Sequence, residues 1–114
     1  MSSLSTHVLD TSLGCPASAV PIVLSAANSD NTWTEVARGS TNNDGRATDF
    51  LGEDQRLEAG TYRVTFDTET YFTAIGARVF YPVVHVVFLI HEEDEHYHIP
   101  LLLSPYGYST YRGS

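Results

Sequence analysis

Apolar residues in this chain recur with a period of two, in short runs separated by turn signals. This pattern constrains the fold more than any other feature, because side chains alternate between faces in a strand but return every ~3.6 residues in a helix. In "AGTYRVTFDT" (59–68), Tyr62, Val64 and Phe66 share one face. In "LSTHVLD" (4–10), Ser5, His7 and Leu9 oppose Thr6, Val8 and Asp10. Val8 is the best core candidate there, so His7 is expected to point away from the core. "AVPIVLSA" (19–26), "TWTEVARG" (32–39), "VVHVVFLI" (83–90), "HYHIPLLLS" (96–104) and "YGYSTYR" (106–112) read as further strands. In 32–39 the alternation sets Trp33, Glu35 and Ala37 against Thr34, Val36 and Arg38. "NSDN" (28–31), the Asn-Asp-Gly within 40–50 and "HEEDE" (91–95) read as turns. Only "DTETYFTAIGA" (67–77) reads as a helix, with Thr68 as its cap and Gly76 at its end.

Seven or eight short strands and one helix predict a single all-β sandwich domain spanning 1–114. The strands are close in sequence and show no βαβ rhythm, which argues against a parallel sheet. A chain of 114 residues is long enough to bury a core. It has no apolar run of eighteen residues, which excludes a helical membrane span.

Charge narrows the classes further. The net charge is −8, with six arginines and no lysine, a poor match for phosphate-backbone binding, which needs clustered cations. Neither nucleic acid nor membrane is an expected partner. Cys15 is the only cysteine, so no intrachain disulfide forms. "MSSLSTHVLD" has neither a basic nor an apolar leader, and the ending is not of the Ser-Lys-Leu type. The expected location is therefore the cytoplasm.

Several residues can carry chemistry. His96 and His98 stand at i and i+2, hence on one strand face, a spacing that suits acid–base work or metal binding. "HEEDEH" is not the zincin pattern and sits in a turn, so it reads as a solvated hairpin loop. Arg46, just past a turn, offers a fixed fork of donors for an anion or a urea-like edge. The tail "YSTYRGS" gathers tyrosine and serine hydroxyls with Arg112 where most chains end in loose, disposable residues.

"LSTHVLDTSLGCPA", "NDGRAT", "AGTYRVTFDTETYF", "FYPVVHVVF" and "HYHIPLLLSPYGYSTYRGS" together resemble the transthyretin-related 5-hydroxyisourate hydrolases over nearly the whole chain. The terminal Tyr-Arg-Gly-Ser is the most specific mark. Transthyretin shares the "VLD", "LLSPY" and "YST" elements but lacks this ending and the catalytic histidines. The resemblance implies two four-stranded antiparallel sheets with one short helix, and a homotetramer with sites in the dimer–dimer clefts. It implies that 5-hydroxyisourate is hydrolysed without metal or cofactor, with His7, Arg46 and His98 catalytic. Substrate would be held by His7, Arg46, Tyr111, Arg112 and Ser114, with Gly113 completing the terminal motif. No role carries over to His85, His91 or His96. The alternative on the same fold is a small-ligand binding protein of the transthyretin type.

Overall fold

The structure, a computed structural model, describes residues 2–48, 50–52, 55–92 and 94–114. Asp49 and Glu93, within two of the predicted turns, lie outside the described residues. The strands are β1 (Ser3–Asp10), β2 (Cys15–Pro16), β3 (Pro21–Ala27), β4 (Trp33–Ser40), β5 (Arg46–Ala47), β6 (Gly60–Phe66), β7 (Val84–Ile90), β8 (His96–Ser104) and β9 (Gly107–Thr110). A single helix, α1 (Thr68–Ala74), follows β6.

Two sheets pack face to face. One runs β2-β1-β8-β9, with β5 also paired to β1, and the other runs β4-β3-β6-β7. Between them lie Val8, Ile22, Leu24, Val64, Phe66, Val84, Leu101 and Leu103, all with no exposed surface. Each is the buried member of a two-residue alternation, clearest in β6, where Tyr62, Val64 and Phe66 alternate with Thr61, Arg63 and Thr65. Thr6, equally buried, donates its hydroxyl to the Ile99 carbonyl at 2.6 Å, so that hydroxyl is satisfied inside the sandwich.

Three local features differ from the sequence reading. First, β1 runs parallel to β8, from Ser3↔His96 to Asp10↔Leu103, whereas the other pairs are antiparallel. The expectation of purely antiparallel sheets rested on short connections between neighbouring strands, a rule that does not reach segments at opposite ends of the chain. Second, the β3–β4 register slips between Leu24 and Ser25, so Leu24 faces Ala37 while Ser25 faces Glu35. The extra residue, Val36, packs against the core. Glu35 and Ala37 therefore lie on opposite faces, as a bulge requires. Third, Asp67 rather than Thr68 caps α1. Its carboxylate accepts from the Thr70 backbone N–H at 3.1 Å and from the Thr70 hydroxyl at 2.7 Å. Thr68 is instead fully buried and donates to the Tyr81 carbonyl. Gly76 stands just past the helix end at φ +75°, as its position predicted.

β1 ends in a buried carboxylate. Asp10, 1% exposed, accepts from the Tyr71 hydroxyl at 2.6 Å, the Ser12 hydroxyl at 2.7 Å and the Ser12 and Leu13 N–H groups at 3.0 Å. Burial pushes its pKa up, but the hydrogen bonds, led by Tyr71's, outweigh burial and hold it below the ordinary value. The bond from Tyr71 ties α1 to the first sheet. Tyr71→Phe is expected to lower stability by about 1.5–3 kcal/mol, the range for a hydrogen bond to a charged group. Urea unfolding at neutral pH measures this. The unfolded carboxyl binds its proton at higher pH than the folded one. The contribution is therefore present at neutral pH, and the gap between the two proteins is expected to close as pH falls below 3.8.

Candidate active site

The parallel register of β1 and β8 builds a polar patch on the outer face of the first sheet. Ser3 pairs with His96, Ser5 with His98 and His7 with Pro100. Paired residues share a face, so both imidazoles of "HYH" emerge beside the Ser5–His7 face of β1.

Arg46 joins them through β5, where it pairs with His7. The turn before it explains the placement. The Asn42 side-chain oxygen accepts from the backbone N–H groups of Asp44 at 2.9 Å and Arg46 at 3.1 Å. Gly45 adopts φ +74°, and a Cβ there would lie 2.4 Å from the Val8 carbonyl oxygen, so glycine is required twice over. Gly45 in turn accepts from the Val8 N–H at 2.7 Å, which pins the turn to β1. The Asn-Asp-Gly signal thus marks the device that carries Arg46 to His7. It also brings the Asp44 carbonyl oxygen 2.9 Å from His7 Nε2. A carbonyl only accepts, so that nitrogen carries a proton.

His98 is half-buried, and its Nδ1 lies 2.8 Å from the Ser5 hydroxyl. Burial first, and then the charges of Arg46, His7 and His96, hold its pKa below the ordinary 6.5, against a smaller opposing effect of the Ser5 backbone. His98 is therefore a neutral base at pH 7. The Arg46 side chain is exposed and has no carboxylate partner among the described residues, which leaves its fork available to an anion. A neutral His98, with a second imidazole and an exposed guanidinium beside it, can deprotonate water and stabilise an oxyanion. Among the described residues, no three His, Cys, Asp or Glu side chains are grouped so as to hold a metal ion.

The tail is divided. The Gly113 N–H donates to the His98 carbonyl at 2.7 Å, and a Cβ on Gly113 would lie 2.5 Å from His98 Cδ2. The chain end therefore rests directly against the imidazole. Gly113→Ala is expected to push ring and tail apart, with a fall in turnover of about 10²-fold, the cost typical of a 1 Å misplacement. Steady-state kinetics with an unchanged circular dichroism spectrum would show it. Tyr111 and Arg112 point elsewhere. They line an open groove of about 510 Å³ with Val87, Leu89 and Tyr97, which none of His7, Arg46 or His98 enters. Arg112 is held there by Glu95 Oε2 at 3.0 Å and lies 4.5 Å over the Tyr97 ring. Ser114 is exposed at the chain end.

The remaining histidines separate by location. His85 sits on the other sheet, with Nδ1 2.9 Å from the Thr65 hydroxyl. His91 lines the groove. His96, to which the sequence motifs assign no role, belongs to the patch: its two ring nitrogens lie 2.7 Å from the Ser3 hydroxyl and 2.9 Å from the Ser5 hydroxyl. The period-two spacing of Ser3, Ser5 and His7 is visible in the sequence, but their alignment with His96 and His98 needs the parallel register.

Known proteins share this architecture. The chain is 46% identical over 114 residues to 5-hydroxyisourate hydrolase of Mus musculus, covering 99% of this chain and 96% of that protein. The structure of Klebsiella pneumoniae 5-hydroxyisourate hydrolase superposes with a TM-score of 0.86 at 38% identity, covering both chains fully. Sea bream transthyretin in complex with thyroxine superposes at 0.89 with 40% identity, covering 96% of this chain and 93% of that one. The family model described as HIUase/Transthyretin matches residues 4–113, and the chain belongs to that family.

Proposed function

We propose that this protein hydrolyses 5-hydroxyisourate to 2-oxo-4-hydroxy-4-carboxy-5-ureidoimidazoline, in purine degradation. The observation that carries the reading is the convergence of His7, His98 and the exposed Arg46 on one sheet face. His98, with His7 beside it, removes a proton from water as the water oxygen bonds to a ring carbonyl carbon. Arg46 stabilises the oxyanion that forms. The carbon–nitrogen bond then breaks, and the imidazolium returns the proton to the departing ring nitrogen. Tyr111 and Arg112, which line a separate groove in the single chain, and Ser114 at the chain end are proposed to orient the planar substrate in a dimer–dimer cleft of the assembled protein. No metal or cofactor takes part, and full activity after exhaustive chelation is the expected result.

Assembly into a homotetramer, a dimer of dimers, belongs to the same proposal. Val87, Leu89 and Tyr111 along the open groove, and Tyr106 and Tyr108 beside Phe80 and Tyr81, are each 45–62% exposed in the single chain, apolar surface that suits an interface between copies. Sedimentation equilibrium tests it. A cytoplasmic location is also inferred, since the unpaired, exposed Cys15 suits a reducing compartment.

The first assay generates 5-hydroxyisourate from urate with urate oxidase and follows its ultraviolet decay. Decay faster than the spontaneous rate supports the hydrolase. Decay at the spontaneous rate from a folded protein overturns it and favours small-ligand binding, as in the sea bream transthyretin complex with thyroxine. The depressed pKa of His98 adds a signature. The free enzyme loses its base only when that imidazole takes up a proton, so the acidic limb of kcat/KM is expected to have its midpoint below 6.5.

A further inference from the structure

We infer that Ser5 and His96 are positioning residues that lock the His98 imidazole in the tautomer with its proton on Nδ1 and its lone pair on Nε2. The inference rests on the hydrolase reading above and extends it to three residues outside the catalytic set. The Ser5 hydroxyl lies between two imidazoles, 2.8 Å from His98 Nδ1 and 2.9 Å from His96 Nε2. The far nitrogen of His96 meets the Ser3 hydroxyl at 2.7 Å. The four groups therefore form one hydrogen-bonded chain from His98 on β8 to Ser3 at the start of β1. A hydroxyl has a single proton to donate. When it joins two neutral rings, one ring donates to it and the other accepts from it, so the two tautomers are coupled.

Two directions satisfy such a chain, and the surroundings select one. A proton on His98 Nδ1 meets Ser5 Oγ at 2.8 Å, whereas a proton on Nε2 would meet no acceptor among the described residues. The cationic Arg46 disfavours positive charge on that ring, which keeps it in a neutral form with one proton to place. The Nδ1 proton of His98 then goes to Ser5 Oγ, the Ser5 proton to His96 Nε2, and the His96 Nδ1 proton to Ser3 Oγ. Both ring protons and the Ser5 hydroxyl proton then have acceptors, and His98 Nε2 makes no hydrogen bond among the described residues. That nitrogen is the one left to take the proton of water. The arrangement does for His98 what the Asp44 carbonyl does for His7, with the opposite nitrogen protonated. Ser5 is only 7% exposed, so water does not readily replace its hydroxyl.

The test reads the tautomer directly. Nitrogen-15 spectra of the imidazoles are recorded at a pH where both rings are neutral, for wild type, Ser5→Ala, Ser5→Thr and His96→Phe. The expected wild-type spectrum shows the His98 proton on Nδ1. In Ser5→Ala it redistributes toward Nε2, and kcat on 5-hydroxyisourate falls about ten- to a hundredfold, the range for losing a partner that orients a functional imidazole. KM changes little, because substrate binding is not what the lock serves. Ser5→Thr keeps the hydroxyl and restores both readouts. His96→Phe, at an exposed site, gives a smaller change in the same direction. A wild-type His98 protonated on Nε2, or a Ser5→Ala protein with unchanged tautomer and kcat, overturns the inference while leaving the hydrolase reading intact. If wild type does not hydrolyse 5-hydroxyisourate, the hydrolase reading fails, and the catalytic purpose of the lock fails with it. The spectra still decide the tautomer in that case.

Discussion

His98→Ala is expected to lower kcat by about 10²–10⁴-fold, the usual cost of losing a general base. The residue sits on the outer sheet face rather than in the core, and burial and the neighbouring Arg46 keep it neutral at pH 7. Alanine removes the base and releases the Ser5 hydroxyl but leaves the sandwich core untouched. Thermal unfolding and sedimentation are therefore expected to match wild type closely, and the loss should fall on kcat rather than on KM. A variant with wild-type kcat would transfer the role of base to His7, which stands beside it on the same sheet face.

Arg46→Ala is expected to reduce kcat by about 10²–10³-fold, the range for removing one oxyanion donor from a preorganised site. Arg46→Lys is expected to recover only part of it, since an ammonium keeps the charge but loses the planar fork. A second readout separates electrostatics from simple binding. Arg46 is one of the charges that depress His98, after burial. Removing the cation raises the imidazole pKa, so the acidic limb of kcat/KM moves to higher pH in Arg46→Ala. A raised KM with unchanged kcat would instead show that Arg46 binds ground and transition states equally.

Protonation of His98 also bears on stability. Its folded pKa lies below the unfolded value, so the unfolded chain binds more protons in that window. The folded state loses stability as pH drops below 6.5, over the same range in which the base is lost.

What the sequence by itself determined is local. Alternation at Tyr62, Val64 and Phe66, and at Thr6, Val8 and Asp10, marks strands and their buried faces, because successive side chains point to opposite sides whatever the partner strand is. Asn42 to Gly45 announce a turn through their own backbone chemistry, and Gly76 ends a helix because it tolerates φ +75°. His7, Arg46 and His98 could be named one by one, from residue type and motif. Their meeting could not be derived from periodicity, because it depends on pairing between segments far apart in the chain. The Ser5 and His96 contact joins residues separated by 91 positions, through a parallel register that no hairpin rule predicts. The bulge at Val36 and the cap at Asp67 were likewise settled by packing. In each case the competing local choices differ by about 1 kcal/mol or less, and burial of the core, worth far more, decides among them.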